Sequence, residues 1–357
     1  MFAGVNSIAK FFSLAGPGLL ALQLTAHADD NYRVLDTTRL MGSGGTDYVY
    51  ADNAGRRVYV PRGGNTLVFD LDSHQYIGTV TNVGGHGVAV DPQTHHGFVS
   101  GNPPAMFDTA TLQKIKNIEG VTSRPDGILF EPVTEKIYIF SHTAPSVTII
   151  EPKDGAVVGT IDIGGAMEQA QADGVGKVYA DMEDEKEIAV IDAKTMKLAG
   201  KIELGDGAGE PAGLGLDAKN HILFAMCANP SVCVAVNADS GKVLATLPVG
   251  DGTDSGGFNP NTMEAFSSQR DGTLTIIKEN SPTDFAVEQT VKTKAGARTS
   301  TLDTKNNVIV LIATERPPQT NAAPATVAMA PANPPAGAPR GKRYTGPAML
   351  DVMFVGR

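Results

Sequence analysis

The sequence contains no tryptophan, only two cysteines, and aromatic residues at 6% of its 357 positions. Two thiols are too few for a disulfide-dense scaffold, and they exclude a four-cysteine metal module. Basic residues are also in short supply, with 29 Lys and Arg against 39 Asp and Glu, for a net charge of -10. Such a surface repels phosphate backbones, whose recognition needs Lys and Arg to displace counterions, so no nucleic-acid partner is expected. Beyond the N-terminal stretch no run is long and apolar enough to span a bilayer, so no transmembrane segment is expected. Phosphate-loop, Rossmann, zinc-protease, nucleophile-elbow and haem-attachment patterns are all missing, which argues against a bound nucleotide or haem.

What is abundant is glycine (40) and proline (22), the composition of many short strands separated by tight turns. The first residues read as a secretory leader. Lys10 supplies the positive charge, Phe11 to Leu24 the apolar stretch, and Ala26-His27-Ala28 a cleavage site. Residues 1–28 are therefore expected to be a signal peptide, and 29–357 one domain in the periplasm or outside the cell. In that oxidising setting Cys227 and Cys233, with five residues between them in a hairpin-like loop, are expected to form a disulfide.

Internal periodicity carries the fold. Apolar runs end in Asp52, Asp91, Glu131, Asp173, Asp217, Asn259 and Asp303, spaced by 39, 40, 42, 44, 42 and 44 residues. After each anchor come a polar turn and a second strand. That strand carries an aromatic seven residues on in five copies (Tyr59, Phe98, Tyr138, Phe224, Phe266) and six on at Tyr179; the last copy has Val310. A third strand ends in Asp, Glu or Asn, and a fourth runs into glycine. Four short strands in about 40–44 residues is the length of one propeller blade. A lone four-stranded sheet exposes both faces, which stacking around an axis buries. The chain is thus expected to be all-β, a seven-bladed β-propeller of four-stranded blades. Its seventh blade lacks a strand at the C-terminal end, and the segment from Val34 has the pattern to complete it. Residues 316–347, rich in Pro and Ala with a basic cluster at Arg340, Lys342 and Arg343, form an inserted low-complexity loop.

Several segments carry a resemblance. GVAVDP at 87–92, KIYI at 136–139, KVYA at 177–180 and VIDAKTMK at 190–197 resemble YVTN repeats. Over residues 32–357 the chain is similar to YncE-like periplasmic seven-bladed propellers. The resemblance implies the fold and a range of roles: scaffold, binding protein or occasional enzyme. Related lactonase and lyase propellers place catalytic His, Glu and Arg around the channel mouth, but no linear motif here carries those residues over one by one.

If the blades close, residues five before each anchor converge on the axis: Asp47, His86, Asp126, Glu168, Ala212, Asp254 and Arg298, with Glu210 beside Ala212. The loops between second and third strands add Arg62, Asn102, His142, Glu183, Asn229 and Arg270. His86, His142 and Glu168 are the candidate catalytic residues. Asp47, Arg62, Asp126, Glu210, Asp254, Arg270 and Arg298 are the candidate ligand-binding ones. Three readings remain open. The ring binds a small molecule or a protein at the top face, it catalyses a lactone hydrolysis or lyase reaction, or it is water-filled and structural. Crowded carboxylates raise one another's pKa or recruit a cation. Oxygen-rich ligands suit Ca²⁺ or Mg²⁺, and a single ring histidine argues against a closed zinc site. A monomer is expected. The segment TDSGGF at 253–258 resembles the serine loop of chymotrypsin-like proteases, but Ser255 falls at a blade junction and His27 lies in the leader.

Overall fold

The computed structural model describes residues 1, 31–315 and 346–357. The proposed leader, its cleavage site and nearly all of the Pro/Ala segment with its basic cluster lie outside these residues. Among the described residues there is no helix, and so none long and apolar enough to cross a membrane.

Among the described residues the first strand is β1 (Arg33–Ser43), and six blades follow it in order. Blade one holds β2 (Tyr50–Asp52), β3 (Arg57–Arg62), β4 (Asn65–Asp70) and β5 (Tyr76–Val80). Blade two holds β6 (Val88–Asp91), β7 (His96–Val99), β8 (Ala105–Asp108) and β9 (Lys114–Asn117). Blade three holds β10 (Pro125–Glu131), β11 (Lys136–Ser141), β12 (Val147–Glu151) and β13 (Ala156–Ile161). Blade four holds β14 (Met167–Ala172), β15 (Lys177–Met182), β16 (Glu187–Asp192) and β17 (Lys197–Glu203). Blade five holds β18 (Pro211–Asp217), β19 (Ile222–Cys227), β20 (Val232–Asn237) and β21 (Val243–Pro248). Blade six holds β22 (Thr253–Asn259), β23 (Glu264–Gln269), β24 (Thr273–Ser281) and β25 (Asp284–Lys292). Blade seven takes β26 (Thr299–Asp303), β27 (Val308–Glu315) and β28 (Pro347–Gly356) from the end of the chain and β1 from its beginning, in the order β1-β28-β27-β26.

The anchors work as turn formers. Glu131 accepts from the amides of Val133 and Thr134 at 2.9 and 2.7 Å, and Asp91 accepts from Gln93 and Thr94. A side chain that bonds its own backbone two or three residues on fixes a tight turn. In six blades this turn has four residues and ends in a left-handed residue: Arg56, His95, Glu135, His221, Met263 or Asn307, with φ between 54° and 58°. Blade four closes with one residue fewer, Asp173 N donating to Lys177 O at 3.0 Å around Gly174 and Gly176. That deletion is why Tyr179 follows its anchor by six positions rather than seven.

The core is seven clusters, one at each interface between neighbouring blades. The cluster joining blade seven to blade one packs Val310, Ile312 and Val352 against Val58, Val60 and Phe69. Each such interface removes one face of each of its two sheets from water, at about 25 cal/mol per Å² of apolar area. Two arginines of blade one tie it to the blade built from both chain ends. Arg62 donates to the carbonyls of Leu40, Gly42 and Ala348 at 2.7–3.0 Å, and Arg56 to the Asp303 carboxylate at 2.7 Å.

The cysteine expectation is corrected. Both thiols are free and buried. Cys233 stands opposite Met226, and Cys227 opposite Val232, so the two are one register step apart. A step of one residue in a strand turns a side chain to the other face. Cys227 packs into the blade four–five interface and Cys233 into the blade five–six interface.

Candidate functional site

The first strand of each blade lines the hub, running from the top of the ring down to its anchor. Space there is tight: a Cβ on Gly127 would sit 2.3 Å from Glu168 O, and one on Gly213 equally close to Ser255. Only glycine permits such an approach of neighbouring strands. Side chains at the strand tops are thereby brought within bonding distance.

Six of the seven ring positions bear polar side chains, and these form one connected chain. Arg298 donates to both Asp254 and Asp47, the latter at 3.3 Å. His86 Nδ1 lies 2.7 Å from Asp47 Oδ2 and 3.2 Å from Asp126 Oδ1. The other oxygen of Asp126 lies 2.7 Å from His142 Nε2, which is also 2.9 Å from Glu168 Oε1. The Tyr48 hydroxyl donates to Glu168 Oε2 at 2.8 Å. His142 enters from the loop after β11 and is the second imidazole of the set. Above the chain opens a cavity of about 760 Å³, with Glu183, Glu210, Arg124 and Arg270 on its walls. Below it Gln169 spans from blade four to blades five and six. Its Oε1 accepts from Leu214 N and Gly256 N at 3.1 and 2.9 Å, forming a floor.

Electrostatics follow from this crowding. Burial raises the Asp126 carboxyl, with Glu168 and Asp47 adding to the rise and His142 opposing it. Asp126 and Glu168 together raise His142 to about 10. Burial, then Glu168, pushes Glu183 up to about 7. Asp181, on β15 beneath this wall, is fully buried, and neither carboxylate oxygen has a hydrogen-bond partner. Its pKa is raised well above the ordinary value by burial and by Glu168.

The expected site residues divide accordingly. Asp47, His86, Asp126, His142, Glu168, Asp254 and Arg298 meet. Glu210 and Arg270 line the cavity without joining the chain; Glu210 instead accepts from Asn229 at 3.3 Å. Arg62 is corrected: it is buried, and three backbone carbonyls at the seam take up its guanidinium, so it faces no ligand. Ser255 is buried against Ser268 and Ser300 at 3.2 and 3.0 Å, which removes it as a nucleophile. Sequence reasoning missed Tyr48, Arg124 and Asp181. Arg124 stands two residues before its ring position, the same offset that singled out Glu210. Tyr48 adjoins Asp47 in a chain poor in aromatics.

No protein-family model matches the chain, and no curated protein matches it. The likeness to YVTN repeats therefore stays a resemblance. Solved structures do match over most of their length. One described as "Crystal Structure of Mitotic Checkpoint Complex" aligns with a TM-score of 0.68 at 14% identity, covering 87% of this chain and 96% of that one. "Structure of U3-55K" gives 0.67 at 11%, covering 79% and 92%. "Crystal structure of RRP9 WD40 repeats" gives 0.64 at 11%, covering 80% and 90%. At such identities the likeness shows the β-propeller fold and nothing finer.

Proposed function

We propose that the chain is an exported propeller that binds a small polar ligand of cationic character at the top of its hub. The observation that carries this reading is the connected chain from Arg298 to Glu168 under an open cavity of about 760 Å³, within the usual size of a small-ligand pocket. Carboxylates outnumber guanidinium groups on its walls, so the field there attracts positive charge. Titration calorimetry with a panel of diamines and amino sugars tests it. The expected result is a hub binder weakened at least about tenfold by Glu168→Gln and unaffected by Glu203→Gln on the exposed outer strand. Equal affinity in both variants would place binding elsewhere. Export is supported by the Ala26-His27-Ala28 pattern. Sequencing the cellular protein should find Asp29 first, and an intact Met1 would contradict export.

A second reading, a metal-assisted lactone hydrolase or lyase, is favoured by the pairing of two imidazoles with carboxylates within 3.2 Å. His142, held protonated to about 10, would serve as an acid rather than a base at neutral pH in the metal-free ring. Turnover of a lactone panel that is lost in His142→Gln would support this reading, and ligand binding with no product would exclude it.

A further inference from the structure

We propose that the hub holds a pair of divalent metal ions bridged by the two oxygens of the Asp126 carboxylate. The inference rests on the binding reading above and names the cation. Asp47, His86 and Asp126 bring three donor atoms within 4.8 Å of one another, and Asp126, His142 and Glu168 do the same. The two triads share one residue but not one atom. Asp126 Oδ1 faces His86 Nδ1 at 3.2 Å, while Oδ2 faces His142 Nε2 at 2.7 Å. Each triad closes on its other side, at 2.7 Å from His86 to Asp47 and 2.9 Å from His142 to Glu168. Donors held about 2.1 Å from one ion lie about 3 Å apart along an octahedral edge, so these spacings are those of a coordination shell.

A separate observation points the same way. Asp126 is only 8% exposed, and its Oδ1 is buried with no partner in hydrogen-bonding geometry, as is His142 Nε2. Donor atoms buried so close together, paired by charge but out of hydrogen-bonding alignment, form a set that an ion between them would satisfy. The outer partners fit too. Tyr48 holds Glu168 by Oε2, the oxygen turned away from His142, and Arg298 holds Asp47 by Oδ1, the oxygen turned away from His86. Hydrogen bonds to the far oxygen orient a ligating carboxylate. A metal on His142 Nε2 moves the ring proton to Nδ1, so the Arg124 guanidinium, 3.3 Å from Nδ1, must swing out; it is exposed and able to do so. One imidazole and two carboxylates per ion suit Mn²⁺, Fe²⁺ or Zn²⁺ better than Ca²⁺. The second imidazole is the reason to move from the oxygen-only ions expected of a ring with one histidine.

The test uses the purified chain, stripped with a chelator and titrated with Mn²⁺ alone. Two ions per chain are expected, with an exchange-coupled electron paramagnetic resonance spectrum from the shared carboxylate. His86→Ala and His142→Ala should each retain one ion and lose the coupling. Asp126→Asn should weaken both sites at least tenfold, with an unchanged circular dichroism spectrum as the control for folding. One ion in the unaltered chain, or two uncoupled ions, overturns the pair; the unaltered chain suffices for this even if a variant fails to fold. A hub that takes a diamine but no Mn²⁺ overturns the metal pair and leaves the binding reading intact. A hub that takes neither overturns both.

Discussion

The two ends of the same strands carry the same residue types and use them in opposite ways. At the bottom, acids sit in turns and receive main-chain amides. Glu131 takes two, and Asp173 takes three at 2.8–2.9 Å. Asp70, Asp108 and Asp192 in the lower turns between third and fourth strands are held below the ordinary aspartate range by such bonds. At the top, Asp47, Asp126, Glu168 and Asp254 receive no main-chain amide among the described residues, only one another's imidazole, guanidinium and phenol partners. There Asp126 and Glu183 rise. Residue type and spacing therefore do not separate a structural acid from a site acid. What separates them is whether the backbone has already satisfied the charge, because a satisfied carboxylate has nothing left to offer a ligand.

Substitutions at either end are ways to break this contrast. The largest effect is expected from Arg56→Ala at the bottom of the seam. It strands Asp303, which is 1% exposed, and should cost about 3 kcal/mol in denaturant unfolding. Burial would raise the Asp303 carboxyl, but Arg56 outweighs it and the pKa is lowered. The stability it contributes is therefore present above the unfolded value of about 4 and lost as pH falls below it. In the variant that acid-dependent part should disappear, while affinity at the hub stays unchanged. Glu131→Ala should cost about 2 kcal/mol by removing the buried carboxylate that accepts two turn amides, again with hub affinity unchanged.

Glu183→Gln at the top should act in the reverse direction. A carboxyl raised to about 7 favours the folded state below its unfolded pKa and loses that contribution as pH climbs through 7. The variant should be more stable than the parent by about 1 kcal/mol at pH 8, with the gain vanishing near pH 4. The smallest expected effect is none: a reductant should leave the melting temperature unchanged, since Cys227 and Cys233 face different interfaces. A fall on reduction would contradict that register.

Much of this was legible in the sequence, for a reason that also marks its limit. A period near 42 residues and a repeated anchor fix the blade count. Counting back five residues from each anchor then reached the six polar ring positions, because equal offsets from a common anchor end at equal heights whatever the strand length. The final blade was readable from the strand it lacked. What failed depends on direction and register rather than on period. A loop of five residues between Cys227 and Cys233 looks bridgeable until pairing shows one register step between them. Arg62 is the last residue of β3, one register step before the position His142 takes after β11, and it turns to carbonyls of β1 and β28, whereas His142 turns to the hub. Asp181 lies inside an apolar strand, and its burial without a partner leaves no mark on the repeat.

The contrast between the two ends is tested most directly by a carboxyl ¹³C nuclear magnetic resonance titration of the metal-free chain. Asp70, Asp108 and Asp192 should titrate below the ordinary aspartate range, Asp126 above it, and Glu183 near 7. If the upper and lower sets ionised together, the top of the hub would hold no unsatisfied charge, and the site proposed there would lose its physical basis.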